Sequence, residues 1–168
     1  MIRRLLVTAT LAIALPAGAQ SQAVPAANYT DLWYNPAESG WGVTITQHSP
    51  PASPDSQTYA IWYTYDPRAA DSATPGNFKP LWIVMSGGTW TSPTSLTGPV
   101  YVLNGVPFFQ AGSQRVQTQV GTFTFQFADA SHATFTYNIT PPSGLASSDP
   151  AFNLPAFSGT KNIERIVF

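Results

Sequence analysis

Glu38 lies in the run Trp33-Tyr34-Asn35-Pro36-Ala37-Glu38-Ser39-Gly40-Trp41-Gly42, a carboxylate in a Pro/Gly loop bracketed by two Trp. Two kinds of chemistry suit that setting. Apolar surroundings raise a carboxyl pKa and make a general acid; Asp66 would be the second carboxylate of a two-acid hydrolase. Alternatively, Trp33, Tyr34 and Trp41 offer flat, rigid faces that stack on sugar rings or other planar ligands. Asn35 and Glu38 would then hydrogen-bond to the ligand and fix its orientation. Trp90, which follows Gly87-Gly88, is read as a rim residue of the same ligand-binding set. A structural role competes for Glu38, because a loop carboxylate often satisfies backbone amides or pairs with a cation, here Arg165. The structural role is favoured for Glu38. The site role and the packing role are evenly matched for Trp33 and Trp41, and Trp62 and Trp82 are read as core bulk.

Other reactive groups are sparse. His48 and His132 lie near strand ends without the H-x-x-x-H spacing of a metal site, which needs about three convergent ligands. There is no D-x-D-x-D-G calcium loop, no Cys and no G-x-S-x-G elbow. The sequence therefore assigns no catalytic residue, no metal and no cofactor, and leans away from an enzyme.

These groups must be carried by β-strands. Val43 and Ile45 alternate within 42–47. Tyr59 to Tyr65 is aromatic or apolar, with Trp62 on the face opposite Tyr59, Ile61, Tyr63 and Tyr65. Leu81 to Met85 is a short apolar run, and 89–91 and 99–103 are weaker candidates. Residues 122–127 and 134–139 alternate cleanly, with aromatics inward and Thr, Gln or Asn outward, and 162–168 closes the chain. β-Branched and aromatic residues fill these runs and turn residues separate them. Residues 128–132 form a hairpin loop, and Asn104-Gly105 signals a tight type I′ turn. The longer loops are 49–56, 67–78 and 141–158. The expected fold is all-β: an antiparallel meander of about eight strands, an up-and-down barrel in preference to a two-sheet sandwich. Closure removes exposed edges.

Ahead of this domain, Arg3 and Arg4, the apolar run Leu5 to Pro16 and Ala17-Gly18-Ala19 have the form of a secretory signal peptide. The expected organisation is a leader over 1–19, a flexible linker over 20–29 and a single β-domain over 30–168. Export to the bacterial periplasm or medium follows from the leader. Charged residues make up only 9% of the chain. Without Arg3 and Arg4, five basic residues stand against eight acidic ones. That balance excludes nucleic acid and argues against a membrane partner. The C-terminal Phe168 and Ile166 fit the ending of an outer-membrane barrel, but lipid-facing strands need about 9–11 residues each, and most runs here are shorter.

Two motifs, Asn35 to Gly42 and Trp62-Tyr63-Thr64-Tyr65-Asp66, occur with Pro80-Leu81-Trp82 and the ending Arg165-Ile166-Val167-Phe168. The set resembles an Asn-Pro-x-Glu-Ser-Gly-Trp-Gly β-domain of secreted proteobacterial proteins, found alone, repeated or appended to exported hydrolases. The resemblance implies a secreted accessory domain and no reaction. Loops 49–56 and 67–78 are longer here than in that family. The expected function is a monomeric, non-catalytic module recognising carbohydrate or another surface polymer. The alternatives are a secreted inhibitor-like protein that binds a protein partner and, less favoured, a hydrolase using Glu38 and Asp66.

Overall fold

The computed structural model describes residues 23–48, 58–68, 77–110 and 115–166. The leader, the loop 49–56, most of 67–78 and Phe168 lie outside the described residues. The described chain is all-β, with eight antiparallel strands: β1 (Asp31–Tyr34), β2 (Gly42–Gln47), β3 (Thr58–Tyr65), β4 (Pro80–Ser92), β5 (Ser95–Asn104), β6 (Val116–Phe127), β7 (His132–Ile139) and β8 (Phe157–Arg165). Each strand pairs with its sequence neighbour, and β8 pairs back onto β1 through Trp33↔Arg165 and Tyr34↔Glu164, closing a barrel.

The expected strand count is met by partly different elements. β1 gave no signal of its own: four residues are too short to show a period. The runs 81–85 and 89–91 are one strand, β4, because Gly87 (φ 98°) and Gly88 shift the β3–β4 and β4–β5 registers without ending the pairing. The Asn104-Gly105 signal does not give a two-residue turn. β5 and β6 are joined by a longer connection over 105–115. In β6 a second irregularity leaves both Val120 and Phe123 inward. Gly121 is required there, since a Cβ would overlap the Asn138 carbonyl oxygen.

Inward positions are apolar and largely aromatic. Phe123, Phe125, Phe127 and Phe135 are fully buried. They form one ladder in which Phe125 stacks on Phe135 at 5.0 Å and Phe123 meets it edge-on at 5.0 Å. The outer faces of β6, β7 and β8 carry Gln117, Gln119, Thr122, Thr134, Asn138, Thr160 and Asn162.

The strands alternate in direction, so one end of the barrel (the first) carries the chain entering β1, and the other (the second) carries the β1–β2 connection. Both ends are covered. Residues 23–29, expected as the end of a flexible linker, instead cross the first end. The Ala23 and Ala26 amides donate to the carbonyls of Trp90 and Pro93. The Gln47 side chain accepts from the Tyr29 amide and donates to the Ala27 carbonyl. Tyr29 is 2% exposed and stacks on Phe127 at 3.8 Å. At the second end the 140–156 connection folds over the opening and buries Ala151 and Leu154. Arg68 holds it there through the Pro150 and Phe152 carbonyls, at 2.9 Å each.

Candidate functional site

β1 ends at Tyr34, whereas β8 continues toward the second end. Extending the Trp33↔Arg165 register places Lys161 opposite position 37, where the β1–β2 loop takes over from the strand. The loop closes the gap with a polar clasp. Asn35 opens it by accepting from the Ala37 amide, and its Nδ2 donates to Glu38 Oε1. Lys161 Nζ donates to both Glu38 oxygens at 2.9 Å, and Trp41 Nε1 donates to Oε2 at 3.0 Å. Gly40 (φ 91°) makes the reversal that brings Trp41 back over the barrel wall. Trp41 is half-buried and packs on the core, with its ring 6.4 Å from both Trp62 and Phe135.

The cation on Glu38 is therefore Lys161, not Arg165. Arg165 lies nearer the first end, bound to Asp31 at 2.9 Å and to the Thr30 carbonyl at 2.8 Å. The hydrogen bonds from Lys161 and then Trp41 hold the Glu38 carboxyl below its ordinary range. Asp66 is also held low. Burial works against its ionisation but is outweighed by bonds from the Arg68 side chain and amide and by the Arg68 and Lys79 charges. A general acid needs the opposite shift.

The other expected ligand-binding residues separate. Trp33 and Trp90 are each 1% exposed. Trp33 donates to the Tyr29 carbonyl and Trp90 to Thr58 Oγ1. Neither has a face left for a ligand, and Trp90 is not at a rim. Strand parity decides both: Trp33 faces inward with Val43, and the Gly87-Gly88 irregularity turns Trp90 inward with Leu96. Tyr34 points outward on β1 at 36% exposure, and Asn35 is spent on the clasp. Trp62 packs in the core as expected. Its buried Nε1 has no hydrogen-bond partner among the described residues.

Trp82 is the larger correction. Read as core, it is 60% exposed, because Leu81, Ile83 and Met85 are the inward set of β4. The signal was hidden because Val84, on the same outer face, is also apolar. Trp82 meets Tyr63 edge-on at 5.8 Å and stands between two adjoining grooves. One, about 340 Å³, runs over Gly40, Trp41, Tyr63 and Tyr65. The other, about 630 Å³, is lined by Asp66, Arg68, Lys79, Asn104 and Pro150. Exposed aromatic faces thus adjoin a small set of charged and amide groups, the usual make-up of a small-molecule site. Among the described residues no three His, Asp or Glu converge as a metal site would require.

Comparison of the chain with protein-family models, curated proteins and solved structures finds no match.

Proposed function

We propose that the protein is an exported, non-catalytic binding module that takes carbohydrate or another polyhydroxylated surface polymer along the double groove around Trp82. The observation that carries this reading is Trp82 itself, a Trp 60% exposed on the outer wall of a barrel whose interior is filled. Leaving that indole in water is unfavourable unless a ligand covers it. In this reading Trp82, Tyr63 and Tyr65 stack on sugar faces. Asp66, Lys79 and Asn104 bond to hydroxyls at the polar end, and Trp41 forms the floor of the shorter groove. The Asn35 to Gly42 loop contributes by shaping that floor and does not bind through Glu38.

The test is intrinsic fluorescence titration with soluble glycans and cell-wall fragments. A saturable shift is expected in the wild type, with affinity weakened at least roughly tenfold in Trp82→Ala. A flat wild-type response to every glycan, or an unchanged affinity in Trp82→Ala, would overturn the reading.

A further inference from the structure

Apart from Val24 at the first end, the most exposed apolar side chains crowd one arc of the second end. Phe108 is 100% exposed, Phe109 73%, Trp82 60% and Tyr65 51%, with Val106 and Val116 also exposed. The arc runs from the end of β3 through the start of β4 and the end of β5 to the start of β6. Its tip is the turn in which the Gln110 amide donates to the Pro107 carbonyl. Phe108 and Phe109 stand on that tip with ring centroids 5.5 Å apart, edge to face. Neither belongs to the core cluster, so folding gains nothing from their exposure.

The charges are also unevenly placed. Among the described residues, the second end holds Arg68, Lys79, Arg115 and Lys161 against Glu38, Asp66 and Asp149. The first end holds Arg165 against Asp31, Asp129 and Glu164. Lys79, just before β4, and Arg115, just before β6, make no ion pair among the described residues.

We propose that this arc docks on a lipid bilayer bearing anionic phospholipid headgroups. Phe108 and Phe109 enter the boundary between headgroups and acyl chains. Tyr65 and Trp82, with amphipathic rings, lie at headgroup level, and Lys79 and Arg115 face lipid phosphates. The negative first end points away from the surface. The whole-chain charge balance argued against a lipid partner. The local arrangement reverses that argument, since a few exposed aromatics and two cations suffice for peripheral contact. Tyr65, Lys79 and Trp82 also line the proposed saccharide groove, so saccharide and bilayer compete for them, whereas Phe108 and Phe109 serve the bilayer alone.

The experiment is flotation of the whole protein with phosphatidylcholine vesicles, with and without phosphatidylglycerol. The wild type should float with phosphatidylglycerol vesicles. Partitioning should fall roughly tenfold or more in F108S/F109S, and should weaken in K79A/R115A on the anionic vesicles. Both pairs lie outside the core, and thermal unfolding verifies that the variants fold. A wild type that floats with neither vesicle, or an F108S/F109S variant that floats like the wild type, overturns the proposal. So does sedimentation velocity showing that the Phe pair drives self-association, which would make a second copy the occupant.

Discussion

Glu38 joins Asn35, Trp41 and Lys161 within one loop and one strand. Its folded pKa is lowered, first by the Lys161 hydrogen bond. The stabilisation is therefore present above the ordinary Glu value and is lost as pH falls through the lowered one. Glu38→Gln should lower the urea midpoint at neutral pH and flatten the acid limb of midpoint against pH, the two curves converging at the acid end. An acid limb identical to wild type would mean that the clasp contributes nothing to stability. The two accessible Trp should separate in the same assay. Trp41→Ala removes a half-buried ring from Trp62 and Phe135 and should cost about 2–3 kcal/mol. Trp82→Ala should change stability by no more than about 0.5 kcal/mol while weakening glycan binding at least roughly tenfold. At this scale the sequence was partly legible. The Trp/Gly loop stood out, and so did a structural role for Glu38. The partner was misassigned because Lys161 reaches Glu38 only through the β1–β8 register, which involves residues more than a hundred positions apart and leaves no local trace.

Among the elements, the segment 23–29 has a role its composition concealed. Ala, Pro and Asn carry no period, so the stretch reads as linker, yet Tyr29 stacks against both Phe127 and Trp90, which also stack on each other, at the first end. Tyr29→Ala should cost roughly 3–5 kcal/mol in urea unfolding and red-shift the Trp emission as Trp90 meets water. Strands β2, β3, β6 and β7 were legible because alternation is the signature of one wet face and one dry face. The irregularities in β4 and β6 were not, because each reverses parity. Gly121→Ala tests the second of them. Its Cβ meets backbone, which cannot rotate away, so a loss of about 1–3 kcal/mol is expected in thermal or urea unfolding. Neutral behaviour would show that the β6–β7 pair yields more easily than its geometry implies.

At the scale of the molecule, the meander follows from successive alternating runs separated by turn residues, which is why the barrel was legible before its details. The candidate groove was not. It is assembled on the outer wall from β2, β3, β4 and β5, together with the 140–156 connection held by Arg68, and no single stretch of sequence contains it. The pairing of β8 with β1 joins residues at opposite ends of the domain, so neither strand has its second neighbour until the other arrives. A chain emerging from its N-terminal side can zip β1 to β7 hairpin by hairpin. It then carries two unpaired edges and an unclasped Glu38 until Lys161 and Arg165 appear. Loop-closure entropy falls on this last step. Acquisition of the native state is thereby timed to the delivery of the eighth strand, and a chain interrupted before it holds an open sheet ready to pair with another of its kind.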